Sequence, residues 1–231
     1  MREAIILAGG LGTRLRTAIP ELPKCLAPVN GKPFLQYVIA WLQGQGIERF
    51  IFSLGYKKIL VENFLLDTLE FSTYDIVSEK VALGTGGAIR LSCTAARDKN
   101  VIVVNGDTLF KSNLQRLSLF HEEKNADCTL TLKPMENFDR YGVVRLSDSG
   151  VVKQFEEKRN HQHGLINGGM YALNVKQYLR VDLPERCSFE KEYLEIFAPE
   201  GKIFGIKDEG YFIDIGIPED YERAQFELNS L

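Results

Sequence analysis

Ala4-Ile5-Ile6-Leu7-Ala8 is an uninterrupted apolar run that stops at Gly9-Gly10-Leu11-Gly12-Thr13-Arg14. A short run with no polar face is the pattern of a strand buried on both sides, as in a parallel sheet. Three glycines in four positions let the chain turn sharply and bring backbone N–H groups against a ligand with no Cβ between. Arg14 and Arg16 follow, and Lys24 comes after Pro20 and Pro23. A glycine loop at a strand end, backed by cations, reads as a cradle for a polyanion, most simply a triphosphate. The plainer alternative is a surface turn whose arginines face solvent.

Spacing excludes two familiar glycine loops. The dinucleotide fingerprint G-x-G-x-x-G would need glycine where Leu15 stands, and no Gly-Lys-Ser/Thr of a Walker loop occurs in the chain, since Gly31-Lys32 is followed by Pro33. The pattern beyond the loop alternates. Phe34, Tyr37, Val38, Trp41 and Leu42 recur at helical spacing and Arg49 to Leu54 reads as a strand. A helix over Lys58 to Leu66 and a strand over Tyr74 to Ser78 follow. This β-α-β-α-β order predicts a Rossmann-like α/β fold, a mainly parallel sheet with helices on both faces. Trp41 belongs to the core.

Glu79 to Ala88 (EKVALGTGGA) is a second glycine stretch, placed to open a helix running to about Ala96. Its amides and helix N-terminus can face a ligand, or Thr85 can cap the helix while the glycines allow close packing. Asn100 to Asn105 (NVIVVN) is another buried strand and ends in Gly106-Asp107. A carboxylate at the C-terminal end of a parallel strand sits where α/β sheets bind ligands, and a hard divalent cation bridging phosphates needs only one or two of them. Asp107 is therefore a candidate metal ligand, with a turn residue or N-cap as the alternative.

Leu114, Leu117, Ser118 and His121 mark a helix, with His121 expected on its exposed side. Beyond the strand Cys128 to Leu132 the order changes. Tyr141 to Arg145, Val151 to Phe155 and Asn167 to Leu173 are strands without long helices between them, the first two joined by an Asp148-Ser149-Gly150 hairpin turn. They predict a mixed extension of the sheet, forming a small lid subdomain. Glu156 and Arg159 are expected in a solvated charged loop, and His161 and His163 lack nearby ligands that would make a metal site. Phe189 to Phe197 is an amphipathic helix and Lys202 to Ile206 a strand. Asp214 follows in an apolar strand between Ile213 and Ile215, where a lone carboxylate would be costly and so needs a cationic or donor partner. Pro218-Glu219-Asp220 opens a last helix.

Length and composition bound the rest. The 231 residues suit one α/β domain, with a nucleotide-binding half to about residue 133 and a second half from 134 to 231. A net charge of −3 opposes nonspecific nucleic-acid binding, so anionic ligands must be drawn by local cations. No apolar run spans a membrane and no signal peptide follows Met1. The scattered Cys25, Cys93, Cys128 and Cys187 form no C-x-x-C pair and read as reduced packing residues of a cytoplasmic protein. Nothing in the chain sets an oligomeric state.

GGLGTRLR with Leu22-Pro23-Lys24 resembles the signature of the sugar-1-phosphate nucleotidylyltransferases, and the later motifs fall in that family's order over nearly the whole chain. The resemblance implies the nucleotide-diphospho-sugar transferase fold, an NTP and a sugar 1-phosphate as substrates, and Mg²⁺ as cofactor. L-G-T-G-G-A is closest to the mannose- and heptose-phosphate guanylyltransferase branches, which implies GTP. By resemblance, Leu7, Ala8, Gly9, Gly10, Leu11, Gly12, Thr13, Arg14, Lys24, Glu79, Gly84, Thr85, Gly86 and Asp107 hold the nucleotide. Tyr141, Gly142, Glu157, Lys158, Asn167 and Gly168 hold the sugar phosphate, with Gly169 beside them, and Asp107 and Asp214 share the metal. Arg14, Lys24, Asp107 and Lys158 would be the catalytic set. Arg14 takes the leaving pyrophosphate, Lys24 bridges the α-phosphate region and Lys158 holds the attacking phosphate. Cys25, Ala27, Ala82 and Ile217 depart from the family pattern, and the C-terminal β-helix of several relatives is missing after Leu228. A UTP- or CTP-dependent transferase for another phosphorylated acceptor, such as N-acetylmuramate 1-phosphate, and a non-catalytic sensor are the competing readings.

Overall fold

A computed structural model describes residues 1–10, 12, 15, 19–70, 73–156 and 158–229. Glu3–Leu7 (β1) leads to a two-strand ribbon, Pro28–Val29 (β2) and Lys32–Pro33 (β3), and then to Phe34–Gly44 (α1). Arg49–Leu54 (β4), Lys58–Thr68 (α2), Tyr74–Ser78 (β5), Gly84–Cys93 (α3) and Asn100–Asn105 (β6) complete the alternating half. Thr108–Phe110 (β7), Leu114–Glu123 (α4), Cys128–Phe138 (β8), Val143–Leu146 (β9), Val152–Glu156 (β10) and His161–Asn174 (β11) follow. Val175–Arg180 (α5), a π-helical segment Phe189–Glu195, Ile203–Lys207 (β12), Phe212–Asp214 (β13) and Pro218–Glu227 (α6) end the chain.

One mixed sheet runs β10-β9-β11-β6-β1-β4-β5, with β8 on β11 and β12 on β8. β1, β4, β5 and β6 are mutually parallel, as the alternating order requires, and β11 joins them antiparallel to β6. Apolar residues of β1 divide between the two faces. Ala4 and Ile6 enter the core shared with α1 and α2, while Ile5 enters the core built against α3 and the π-helical segment. Both faces are therefore covered, which is why the strand carries no polar alternation. Trp41 is partly buried and packs on the first of these cores. The four cysteines are buried free thiols.

Three sequence expectations change. His121 is buried, because Leu114, Leu117 and His121 share the inner face of α4, and its Nδ1 lies 2.9 Å from Thr129 Oγ1 on β8. Glu156 closes β10 rather than lying in a loop, and pairs with Arg145 at 2.5 Å and Arg159 at 3.2 Å. The expected helix at Phe189 is wound as a π-helix. The 148–150 turn forms as expected, with Gly150 at φ +84° between β9 and β10.

β11 is the element on which the two halves meet. Its outer part, His161 to Asn167, pairs with β8, and its inner part, Met170 to Asn174, pairs with β6. The β8 register shifts between Asn167 and Tyr171. Gly169 sits in this bulge at φ +69°, where an added Cβ would lie 2.6 Å from Asn105 Nδ2. A side chain there would meet both backbone strain and a collision, so glycine is required.

Candidate active site

Strand order places the cleft. β1 ends between β4 and β6, and Ala8 N–H donates to Ser53 O while Gly106 N–H donates to Leu7 O, both at 2.9 Å. These bonds hold the glycine turn and Asp107 side by side at the C-terminal edge of the parallel strands. A cleft of about 230 Å³ opens there, lined by Leu7, Ala8, Gly10, Gly12, Lys24, Cys25, Thr85, Asn105 and Asp107. An adjoining pocket of about 180 Å³ is lined by Gly9, Gly10, Ser53, Glu79, Ala82, Gly84 and Thr85 among others. Glu79 accepts a 2.6 Å hydrogen bond from Leu83 N–H at the entrance to α3. Its other carboxylate oxygen packs so tightly on Gly9 that a Cβ there would come within 2.8 Å.

β7 and β13 pair antiparallel, with Asp214 opposite Thr108, and Ile215 N–H donates to Asp107 O at 3.1 Å. This short ladder brings together two acids more than a hundred residues apart. Lys24 Nζ lies 2.5 Å from Asp107 Oδ2 and 3.4 Å from Asp214 Oδ1, with 13% of the lysine side chain exposed. Burial pulls the Lys24 ammonium down, but the two carboxylates more than offset it and leave its pKa raised. Burial and then Asp107 push the Asp214 carboxyl up, against the opposing pull of Lys24. The cationic partner that Asp214 needs is therefore Lys24. Both carboxylates converge on one cation position, now held by an ammonium. Among the described residues no group of three or more His, Cys, Asp or Glu could hold a metal, so an ion here would keep most of its coordination sphere for water and phosphate.

A third cavity, about 360 Å³, is lined by Tyr141, Gly142, Val144, Phe155, Glu156, Lys158, Asn167, Ser188, Glu190, Lys191 and Glu195. It adjoins the lysine–carboxylate trio at Tyr141. Burial and then Asp214 raise the pKa of that phenol, and its ring packs edge-on against Phe212 of β13.

The expected site residues thus separate into groups. Leu7, Ala8, Gly9, Gly10, Gly12, Lys24, Glu79, Gly84, Thr85 and Asp107 line the first two pockets. Tyr141, Gly142, Lys158 and Asn167 line the third. Gly86 serves differently, because its N–H donates to Cys187 O at 2.9 Å and is not available to a ligand. Gly168 lines none of these three pockets. A Cβ on it would come within 2.4 Å of the Phe110 ring, so it acts in packing. Leu11, Thr13, Arg14, Arg16 and Glu157 lie outside the described residues. Thr85 does not cap α3, as its Oγ1 accepts from Phe189 N–H at 2.8 Å. Sequence reading missed Asn105, Ser188, Glu190, Lys191 and Glu195. Only the position of Asn105 at a strand end gave a signal, and the others are brought in by the tertiary fold. His161 stacks on Phe138 and His163 pairs with Glu136.

A parallel α/β sheet with a glycine turn, a lysine set between two carboxylates and a polar second cleft beside them defines a protein that handles phosphorylated ligands at the sheet's C-terminal edge. Residues 3–230 match the Nucleotidyl transferase family model, and the chain belongs to that family. It is 45% identical over 226 residues to a D-glycero-alpha-D-manno-heptose 1-phosphate guanylyltransferase of Aneurinibacillus thermoaerophilus, covering 98% of each chain. A protein of the same name from Campylobacter jejuni is 41% identical, covering 95% of this chain and 96% of its own. The crystal structure of HddC from Yersinia pseudotuberculosis complexed with GMP-PN superposes with a TM-score of 0.86 at 32% identity, over 99% of this chain and 100% of the other.

Proposed function

We propose that this chain transfers the guanylyl group of GTP to a sugar 1-phosphate of the heptose or mannose type, releasing pyrophosphate. The observation that carries the reading is the convergence of Lys24, Asp107 and Asp214 between the glycine-turn cleft and the Tyr141–Lys158–Asn167 cavity. A phosphoryl-type transfer needs the two phosphates held in line and their charge neutralised, and no covalent enzyme intermediate. An oxygen of the sugar phosphate attacks the α-phosphorus, and the bond to the bridging oxygen of the β-phosphate breaks. Asp107 and Asp214 would hold the divalent ion, Mg²⁺ in our reading, which supplies Lewis-acid neutralisation at the α-phosphate. Lys24 then contributes its charge to the phosphates, Lys158 holds the attacking phosphate, and the Gly10 and Gly12 backbone supports the leaving end with Arg14. Glu79 and the 84–85 turn form the base side, and a carboxylate suits the N–H donors of guanine. Gly142 and Asn167 line the cavity that takes the sugar, and Glu157 is assigned to it by the family resemblance alone.

The first half of the chain, to about residue 133, thus serves the nucleotide and the second half the sugar, although β8 itself runs across that boundary. Among the described residues no helix is long and apolar enough to cross a membrane, and we place the reaction in the cytoplasm, where GTP is supplied. Pyrophosphate release measured for each NTP against hexose and heptose 1-phosphates tests the reading. GTP with a manno-configured sugar phosphate is expected to be fastest. Asp107→Ala is expected to lose about 3–5 kcal/mol of transition-state stabilisation, roughly two to four decades in kcat/KM. A rate within about tenfold of wild type would remove Asp107 from the reaction.

A further inference from the structure

Among the residues around the third cavity, Glu190 has no part in the chemistry above, yet its carboxylate is held in place by neighbouring hydroxyls rather than by a counter-charge. It stands on the π-helical segment, more than a hundred residues from the nucleotide turn. Thr85 Oγ1 donates to its Oε2 at 3.2 Å and Ser188 Oγ donates to the same oxygen at 3.1 Å. The buried Tyr171 lies near enough to feel this carboxylate, whose charge adds to burial in raising the pKa of the phenol. Tyr171 in turn accepts a 2.8 Å bond from Asn167 Nδ2 in the kink of β11. Asn167 in the third cavity, Tyr171, Glu190 and Thr85 on the nucleotide side thus form a polar row, hydrogen-bonded at its two ends.

Recognition of a polyol needs acceptors fixed in direction, because a hydroxyl is told apart from its absence only when its partner cannot swing to water. Glu156 is occupied by Arg145 and Arg159, and Glu195 is exposed at the rim. Glu190 is half-buried, fixed along one edge by two hydroxyls, and still lines the cavity. We propose that Glu190 is a specificity-determining residue. Its carboxylate, clamped by Thr85 and Ser188, accepts a hydrogen bond from a hydroxyl of the sugar 1-phosphate and registers that sugar against the bound nucleotide. The inference rests on the transferase reading and adds to it a residue for the sugar ring.

The test uses the full chain with GTP, the faster of mannose 1-phosphate and heptose 1-phosphate, and analogues of that sugar each lacking one hydroxyl. Glu190→Ala is expected to raise KM for the sugar phosphate roughly tenfold or more, the range for losing a hydrogen bond to a charged group. GTP affinity, measured by calorimetry without the sugar, and kcat should stay within about threefold. One deoxy analogue should lose roughly tenfold in kcat/KM with wild type and almost nothing with the variant. Glu190→Gln, which keeps an acceptor for Thr85 and Ser188, should recover part of the loss. An unchanged sugar KM, equal discrimination of all analogues by both proteins, or a parallel fall in GTP affinity would overturn the assignment. Wild type that turns over normally while Glu190→Ala matches it defeats this inference alone. Wild type that releases no pyrophosphate with any sugar defeats the transferase reading as well.

Discussion

Lys24 occupies the position that an ion would take between Asp107 and Asp214. Two part-buried carboxylates without a cation would repel each other and pay desolvation as well, so the ammonium stabilises the ligand-free site. On the proposed reading, an ion held by Asp107 and Asp214 would displace that ammonium and so free it for the phosphates. Lys24→Met is therefore expected to bind Mn²⁺ in the absence of nucleotide about tenfold more tightly than wild type, while its turnover falls by two or more decades. Electron paramagnetic resonance titration of Mn²⁺ checks the first, and equal Mn²⁺ affinity in the two proteins would contradict the exchange. Each of these three residues was legible in the sequence, since Lys24 follows the glycine turn, Asp107 ends a buried run and Asp214 interrupts one. Their mutual geometry was not. It depends on the pairing of β13, which the apolar run around Asp214 announced, with β7, a three-residue strand that nothing in the sequence marked.

The longer elements show the same division. The parallel strands β4 and β6 lie where their apolar runs placed them, because burial on both faces leaves a continuous signal, while β5 at the sheet edge was marked only by its β-branched residues. β11 was foreseen only in its inner part. Its outer residues His161 to Ile166 are polar, apolar and glycine in no regular order, and several of them are exposed or half-buried. The kink between the two parts predicts that Gly169→Ala costs roughly 1–3 kcal/mol, through strain at positive φ and contact with Asn105. Denaturant midpoints would register it, and a neutral substitution would show that the bulge relaxes freely. His121 on α4 gives a pH prediction. Burial, with Lys99 adding to it, lowers its pKa from 6.5 to about 4, so the unfolded chain takes up a proton that the folded one refuses. Stability is full above pH 6.5 and falls as pH drops toward 4, by about 2 kcal/mol from pH 7.5 to pH 5. His121→Leu should flatten that part of the unfolding profile, and an unaltered slope would assign it elsewhere.

At the scale of the molecule, both halves contribute strands to one sheet, and β11 is bonded to β6 on one side and β8 on the other. The absence of a Ser/Pro/Gly-rich linker in the sequence agrees with this. Thermal unfolding is expected as a single transition with matching calorimetric and van't Hoff enthalpies. GTP with a divalent ion at about a hundred times its Kd should add about 2.7 kcal/mol, seen as a rise in the midpoint of a few degrees. Two resolved transitions, with only one moved by GTP, would mean that the halves unfold separately. The bent strand that joins them has a further effect. Its inner segment is locked to the strand beside the glycine turn, whereas Asn167, at the bend, is the residue it contributes to the wall of the third cavity. A new side chain at Asn167 can therefore recut the wall of that cavity, on our reading the seat of the sugar, while the backbone pairing with β6 on the glycine-turn side stays where it was.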